Sequence, residues 1–208
     1  MLPHALDQRA VVVGHDFRFG RGGEASAEWC AQQGAQFGFE VDIVAPVLVG
    51  DLRVSSGRVR ETLAGAEFAA AERLLGRPYS MRGRVRPGNR LGRKLGFPTA
   101  NIAVKRRRVP LQGVFAVQVA GAHATAGGGP ALQPGVASLG TRPMVNGVQM
   151  LLEAHLFDFD ADLYGQELEV RFLARLREER RFDSMDAMVQ QMRRDADEAR
   201  GLLGLPPP

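Results

Sequence analysis

The chain has 208 residues, of which 45% are hydrophobic and 24% are charged, and its formal net charge is +4. This composition is typical of a globular protein and excludes a chain too polar to fold. No apolar run reaches the ~18 residues that a membrane helix needs, so we expect no membrane partner. The first residues do not resemble a signal peptide. Cys30 is the only cysteine, which excludes an internal disulfide and agrees with a cytoplasmic location.

Charge is distributed unevenly along the chain. No Asp or Glu occurs between Glu72 and Glu153, whereas thirteen Arg or Lys residues do. Such a segment attracts polyanions, nucleic acid or a nucleoside triphosphate among them, although a solvated basic face is the common alternative. Residues 77–108 contain only two aromatics, Tyr79 and Phe97. Because bases stack on aromatic side chains, we do not expect nucleic acid to be a partner.

The first part of the chain is predicted to be α/β. Residues 10–13 (AVVV) predict a strand buried on both faces, residues 24–33 a helix that stops at Gly34, and residues 39–44 a second strand. A strand, a helix and a strand in this order indicate a βαβ unit with a parallel sheet.

Two further helices are predicted to complete this part. Ser55 and Ser56 are suited to cap the first of them. The second is predicted over residues 67–75, because Gly76 and then Pro78 form the usual stop signal. We therefore place a domain boundary here, with a first domain of residues 1–76 and a second of residues 77–208.

Beyond this boundary the pattern has period two. Side chains fall on alternate faces of an extended chain in three segments, residues 114–119, 151–157 and 168–175. This pattern predicts antiparallel strands of a sandwich or barrel. Residues 121–134, rich in Gly and Ala, are predicted to form a flexible connection. A last helix is predicted to begin after Asp183 or Ser184. Its methionine stripe is more typical of a core, although methionine also suits a flat aromatic ligand.

One segment combines glycines with cations: residues 83–101, GRVRPGNRLGRKLGFPTAN. Glycine lets backbone amides approach phosphate oxygens, and Arg or Lys neutralises them. Thr99 and Asn101 share one face of an extended chain and offer the neutral oxygen ligands that suit Mg²⁺, although a local turn would use the same residues. The candidate phosphate-binding residues are Gly83, Gly88, Arg90, Gly92, Lys94, Gly96, Thr99 and Asn101.

Glu153 is a candidate general base. It shares a strand face with His155, opposite Leu152 and Ala154. A carboxylate near a partly closed site can accept the proton of a hydroxyl that attacks phosphorus. The alternative is an exposed strand glutamate paired with one of the many arginines.

Together these segments resemble the riboflavin kinase module of the bacterial bifunctional riboflavin kinase/FMN adenylyltransferases, the FAD synthetase family. The resemblance runs from about Tyr79 to Leu203 and is carried above all by GFPTAN and LEAHLFDFDADLYG. It implies a small antiparallel β-barrel of riboflavin kinase type with a C-terminal helix. It also implies an ATP-dependent kinase that converts riboflavin to FMN.

The resemblance also implies roles for single residues. Thr99 and Asn101 would hold Mg-ATP, the glycine-rich stretch would bind the phosphates, and Glu153 would be the general base. The similarity includes LREERRF, and the candidate flavin contacts are Arg177, Met185 and Met188. One departure is Met144, because members of the family commonly have Thr after GTRP.

Residues 9–75 resemble the back part of the family's adenylyltransferase domain, which implies an α/β remnant with an incomplete nucleotidyltransferase-like parallel sheet. Gly57 replaces a Thr of the family motif. The family's opening G-x-F-D-G-x-H-x-G-H segment does not occur in the chain. We therefore expect no adenylyl transfer, and a first domain that is less stable than the barrel or self-associates. The residues that carry this resemblance are Asp16, Phe19, Ser55, Ser56, Arg58 and Arg60.

Three alternatives remain open at this point. The chain could be a fragment of a full bifunctional enzyme, a flavin-binding module without turnover, or a basic barrel that binds RNA. Each of them makes a different product or binds a different ligand, so each can be tested.

Overall fold

The structure, a computed structural model, describes residues 9–88, 91–104, 109–122, 132–144 and 147–206, and only the backbone of residues 91, 94, 142–144 and 147–149. The chain divides into two compact units, Met1–Ser55 and Ser56–Pro208. Within the described ranges, no helix has the length and apolar character needed to cross a membrane.

The first unit is built on a two-stranded parallel sheet. Strand β1 pairs in parallel with β4, which confirms the predicted βαβ unit. Two short antiparallel hairpins, β2–β3 and β5–β6, complete it. The elements are β1 (Ala10–Gly14), β2 (Arg18–Phe19), a 3₁₀ turn (Arg21–Gly23), β3 (Ala25–Ser26), α1 (Ala27–Phe37), β4 (Glu40–Val44), β5 (Leu48–Val49) and β6 (Leu52–Arg53).

Two predictions for this unit are wrong in detail. Helix α1 does not stop at Gly34 but continues to Phe37, where Gly38 takes the left-handed conformation that ends a helix. Gly34 instead lets the helix approach the next strand, because a Cβ there would overlap the carbonyl oxygen of Phe39. Strand β1 is not buried on both faces either. Val13 is buried and Val11 is half-buried on one face, whereas Val12 on the other face is 66% exposed.

The second unit begins with two helices and continues into strands. Helix α3 ends at Gly76 as predicted, and Ser184 caps the last helix by accepting a hydrogen bond from the amide of Ala187. The elements are α2 (Ser56–Ala64), α3 (Phe68–Leu75), β7 (Ser80–Arg86), α4 (Leu91–Lys94), β8 (Ala100–Ala103), β9 (Gly113–Ala120), β10 (Gln133–Met144), β11 (Gly147–Leu156), β12 (Glu167–Arg177) and α5 (Met185–Leu202).

Six of these strands close into a barrel in the order β10-β11-β8-β7-β12-β9. All neighbouring pairs are antiparallel, which confirms the predicted antiparallel barrel. Its interior is filled by alternate side chains, and Phe115, Phe172 and Met81 are almost completely buried. Of the predicted flexible connection, residues 123–131 lie outside the described residues, whereas Gln133 and Pro134 begin β10.

Helix α5 covers part of the barrel's outer surface. Ala199 packs with Ala116 of β9 and with Phe157, and all three are buried. The Arg177 guanidinium of β12 donates from Nε and Nη2 to Asp195 of α5, at 2.8 to 3.0 Å. A second ion pair joins Arg200 to Asp158 at 2.7 Å, and the Arg200 guanidinium lies over the Phe157 ring. These contacts fasten the C-terminal half of the helix.

Helix α3 belongs to the barrel's core. The Phe68 ring lies 5.9 Å from that of Phe115 and 6.2 Å from that of Phe172, measured between centroids. Because helix α3 packs on the barrel, it belongs to the second compact unit, which begins at Ser56. The division between the units lies earlier than the boundary predicted between residues 76 and 77. As the boundary between two family domains, the predicted position stays a prediction.

Candidate functional site

Strands β8 and β11 bring two predicted site residues together. Asn101 lies directly opposite Glu153 in the antiparallel register, so the two side chains share a face. Ala100, Leu152 and Ala154 are buried in the barrel core, whereas Asn101 and Glu153 are only half-buried. Asn101 lies within a strand that begins at Ala100, and not in the local turn that was the alternative for Thr99 to Asn101. A carboxylate and a carboxamide thus stand side by side on the outer face of the sheet.

The glycine-rich segment folds against these polar side chains. A Cβ at Gly88 would overlap the carboxamide of Asn101, and a Cβ at Gly92 would lie 3.3 Å from Oγ1 of Thr99. The harder conflict at Gly92 is with backbone, because a Cβ there would overlap the carbonyl oxygen of Phe97, so the loop packs closely against the segment that leads to Thr99. The structure brings together four of the predicted phosphate-binding residues in this way.

The other predicted phosphate-binding residues are placed differently. Gly83 lies inside β7, where the absence of a Cβ leaves room for the carbonyl of Ala103. Gly96 has a left-handed φ of 83° and donates its amide to the carbonyl of Arg93 within the loop. Arg90 and the side chain of Lys94 lie outside the described residues. Their phosphate-binding roles stay predictions.

His155 connects β11 to the start of β8. Its Nδ1 lies 2.9 Å from the carbonyl oxygen of Pro98, and its ring contacts those of Phe97 and Phe157 edge-on, at 5.3 and 5.9 Å. The sequence placed His155 on the same face as Glu153 but gave no sign of the contact with Pro98. That contact depends on two segments more than fifty residues apart.

The cross-strand row through Asn101 and Glu153 extends on both sides. Ser138 of β10 lies opposite Glu153, and Arg86 of β7 lies opposite Asn101. Arg86 is exposed, whereas Ser138 is half-buried. Neither is among the site residues predicted from the sequence, where residues 83–101 are assigned to phosphate binding. The alternation of Met81, Gly83 and Val85 with arginines was the signal for a strand.

A cavity of about 410 Å³ opens beside Thr99. Its walls include Arg93 and Val85, together with the segment of residues 159–164 that follows β11. This segment is anchored to β7, since Gly165 donates its amide to the carbonyl of Val85 and accepts a hydrogen bond from Arg84 at 2.9 Å. The cavity thus joins a polar rim to an apolar wall beside a glycine-rich loop.

The candidate flavin contacts lie at the join of β12 and α5. Met185 is 47% exposed and Met188 is half-buried. The guanidinium of Arg177 is held by Asp195 and by the carbonyl of Glu178, so its contacts in this structure are structural. A flavin-binding role for these three residues stays a prediction.

A further carboxylate lies near this region. The side chain of Glu179 occupies the space that a Cβ on Gly140 would fill. Burial raises the pKa of Glu179 above its ordinary value, and the nearby charge of Arg177 opposes this. The sequence gave no reason to choose Glu179 over its neighbours.

The residues predicted to form an adenylyltransferase remnant fall in both compact units. Asp16 forms an ion pair with Arg53 at 2.5 Å, and the hydrogen bond from Arg53 holds its pKa below the ordinary value. Phe19 stacks on Phe17 with centroids 5.3 Å apart. Asp16, Phe19 and Ser55 belong to the first unit, and Ser56, Arg58 and Arg60 to the second. An adenylyl-transfer role for this set stays a prediction.

The geometry described above defines a class: a closed antiparallel barrel with a carboxylate, a carboxamide and a threonine grouped at a glycine-rich loop. The riboflavin kinase family model matches residues 75–203, and the FAD synthetase model matches residues 1–58. The chain therefore belongs to the riboflavin kinase family. This confirms the resemblance found in the sequence.

Two enzymes with which the chain shares sequence carry names that agree with this assignment. The bifunctional riboflavin kinase/FMN adenylyltransferase of Escherichia coli K12 is 41% identical over all 208 residues. That of Pseudomonas fluorescens is 43% identical over 97% of the chain. The chain is also similar to the crystal structure of a macrolide-efflux protein from Streptococcus pneumoniae, with a TM-score of 0.67 and 33% identity. The match covers 92% of the chain and 60% of that protein. The chain spans 64% and 63% of the length of the two enzymes.

Proposed function

We propose that the chain is an ATP-dependent riboflavin kinase that produces FMN in the cytoplasm. The observation that carries this proposal is the grouping of Thr99, Asn101 and Glu153 beside a glycine-rich loop, in a chain of the riboflavin kinase family. The substrates are riboflavin and ATP, and the products are FMN and ADP.

In the proposed reaction the ribityl 5′-oxygen of riboflavin attacks the γ-phosphorus of ATP. A new oxygen–phosphorus bond forms, the bond from the γ-phosphorus to the β,γ-bridging oxygen breaks, and ADP leaves. Glu153 accepts the proton of the attacking hydroxyl. Its position opposite Asn101 on a regular barrel strand supports this role, because a strand holds the carboxylate in one place. Positioning and charge stabilisation supply most of the acceleration in reactions of this class.

The residues around Thr99 fit a bound Mg²⁺. Their oxygens are neutral ligands, which suit an ion that also coordinates ATP phosphates and water. No cluster of three or more His, Cys, Asp or Glu suited to a metal occurs among the described residues, and a threonine–asparagine site does not require one. When bound, Mg²⁺ would neutralise charge on the phosphates of ATP. The chain's own contribution is to hold Thr99 and Asn101 against Gly92 and Gly88.

The cavity beside Thr99 is the proposed place for the nucleotide. Its volume of about 410 Å³ lies within the usual range for small-molecule sites. Arg93 at its rim can neutralise phosphate charge, and Leu156 and Leu163 can pack against the face of the adenine ring. Riboflavin would approach Glu153 from the outer face of β11.

The test is to incubate the chain with riboflavin, ATP and Mg²⁺ and to separate the flavins by chromatography. Formation of FMN with an equal amount of ADP supports the kinase. Flavin binding without FMN would indicate a binding module, and FAD would indicate the bifunctional activity of the relatives. Retention on RNA at ~0.2 M salt would favour the basic barrel, because nonspecific phosphate contacts weaken steeply there.

A further inference from the structure

The segment that precedes Thr99 is held at two points. On one side the amide of Phe97 donates to the carbonyl of Gly92 at 2.8 Å. On the other side the carbonyl of Pro98 faces Nδ1 of His155 at 2.9 Å. Proline has no N–H, so this carbonyl is the only backbone hydrogen-bonding group that Pro98 possesses. The contact with His155 therefore decides how this residue is oriented.

Fixing that carbonyl also fixes Thr99. The peptide unit is planar, so the oxygen of Pro98 lies in one rigid plane with the nitrogen and Cα of Thr99. A rotation of this plane would turn the Thr99 side chain away from Gly92, which its Oγ1 now approaches. The position of the threonine hydroxyl thus depends on a histidine of another strand.

The chemistry of the contact shows which partner is the donor. A carbonyl oxygen only accepts hydrogen bonds, so Nδ1 of His155 must carry the hydrogen and donate it. The ring is kept in place by the edge-on contacts with Phe97 and Phe157. Glu153 lies two residues earlier on the same face of β11. One strand therefore carries both the proposed base and the donor that orients the segment of Thr99.

We propose that His155 is a positioning residue for Mg-ATP: its Nδ1–H holds the Pro98 carbonyl and thereby sets the Thr99 hydroxyl. This inference rests on the proposed kinase function. It assigns His155 no contact with the reacting atoms. It predicts that the geometry of the donor, and not merely an aromatic ring or a polar group, is what the site requires.

Three substitutions separate these requirements. In His155→Asn the side-chain nitrogen stands the same number of bonds from Cα as Nδ1, so the donor is kept. In His155→Gln the nitrogen stands one bond further away, and His155→Phe keeps a ring without a donor. We expect Gln and Phe to raise the KM for Mg-ATP about two- to tenfold, the range that one hydrogen bond supplies, with Asn close to wild type. The KM for riboflavin should change by less than twofold in all three.

Thr99→Ala is the reference, and its effect on the KM for Mg-ATP should resemble that of His155→Gln. Circular dichroism and the unfolding midpoint confirm that each variant folds. Mg-ADP binding by calorimetry gives a second readout that needs no turnover. If the wild type binds Mg-ADP without making FMN, the proposed function fails, and the order of the variants in Mg-ADP affinity still tests His155.

Four results would overturn the inference. The first is wild-type KM and Mg-ADP affinity in both His155→Gln and His155→Phe. The second is a defect in His155→Asn as large as that in His155→Phe. The third is an equal rise in the KM values for riboflavin and Mg-ATP, which would mark a general effect on packing. The fourth is a wild-type chain that does not bind Mg-ADP at all.

Discussion

Apolar strand residues are partly exposed in the first compact unit and buried in the second. In the first unit β1 and β4 form a two-stranded sheet, and Val12 and Val44 are 66% and 46% exposed. In the second unit six strands close into a barrel, and Phe115 and Phe172 are 0% and 1% exposed. A closed barrel leaves no open edge, so each strand has a neighbour on both sides. Whether an apolar strand is buried therefore depends on the strands around it, and its own composition does not decide it.

The two sets of predicted site residues also differ in whether regular barrel strands hold them. Asn101 and Glu153 lie on paired barrel strands, and Thr99 precedes one of those strands. Asp16 and Phe19 lie on or beside a two-residue strand. Regular strands hold side chains more precisely than loops do. We therefore expect activity and stability to belong to the second unit.

The largest expected effect is that the chain forms FMN and does not form FAD. With FMN, ATP and Mg²⁺ we expect the 208-residue chain to form no FAD, whereas riboflavin and ATP give FMN. Adenylyl transfer needs groups that stabilise negative charge on the α-phosphate. In the first unit the candidates Asp16, Phe19 and Ser55 supply an acid held by Arg53, an aromatic ring and a hydroxyl, and none of the three carries a positive charge. The measurement is chromatography of FAD together with an assay for pyrophosphate.

The control for this comparison is a variant that affects one reaction only. Glu153→Gln should slow FMN formation ~10²-fold or more, and it should have no effect on any FAD made from FMN. Robust FAD formation, abolished by Ser56→Ala or Arg60→Ala, would show that the remnant residues form a working site after all.

The second prediction concerns the base. We expect Glu153→Gln to lower kcat by ~10² or more and to leave Mg-ADP affinity largely unchanged, because general base catalysis commonly contributes at least this much. Steady-state kinetics of FMN formation measure the effect. Glu167→Gln is the matched control, since this glutamate also lies on a barrel strand but is exposed. A variant of Glu153 with near-normal kcat would remove this residue from the proposed mechanism.

Much of the barrel could be predicted from the sequence, because three of its strands are apolar segments in which side chains fall on alternate faces. Strand β7 was missed, since its exposed positions Arg82, Arg84 and Arg86 alternate with small or apolar residues inside a segment assigned to phosphate binding. The acid-free stretch of sequence was also misleading. Glu169 and Glu167 of β12 lie opposite Arg82 and Arg84 in the register. Acids from a distant strand thus offset part of the positive charge.

The site could be predicted as a set of residue types but not as an arrangement. Spacing showed that Thr99 and Asn101 share a face, and that Glu153 and His155 share another. It could not show that the two faces are one, because that depends on the pairing of β8 with β11. The overlap of Gly88 with Asn101 likewise appears only when the loop has folded back onto the strand.

The third prediction compares an ion pair from each unit. Asp195 is 4% exposed and binds Arg177 through two oxygens, so Asp195→Ala leaves a largely buried guanidinium without its carboxylate. We expect it to lower the barrel's free energy of unfolding by about 3 to 5 kcal/mol. The control is Asp16→Ala, because the pair of Asp16 with Arg53 is exposed. Denaturant unfolding should show no measurable change for the control, and equal effects of both variants would contradict the comparison.

The smallest expected effect is a pH-dependent one within the barrel. Ser80 donates a hydrogen bond to Glu169 at 2.7 Å and Arg82 donates another at 2.9 Å, which joins β7 to β12. The hydrogen bond from Ser80, and secondly Arg82, hold the pKa of Glu169 below its ordinary value, against the opposing effect of burial. A carboxylate with a lowered pKa stabilises the fold above its unfolded pKa of ~4.3. That stability is lost as the pH falls through the lower pKa of the folded state.

We therefore expect Glu169→Gln to lower the free energy of unfolding by about 1 kcal/mol at pH 7, below the ~1.5 to 3 kcal/mol of most charged hydrogen bonds because Arg82 is exposed. The difference from wild type should shrink as the pH falls below ~4, since the wild-type carboxyl then becomes neutral as well. Urea unfolding at pH 7, 5, 4 and 3 measures it, with the exposed Glu167→Gln as the control. A difference that stays constant down to pH 3 would mean that Glu169 stabilises the barrel through packing and not through its charge.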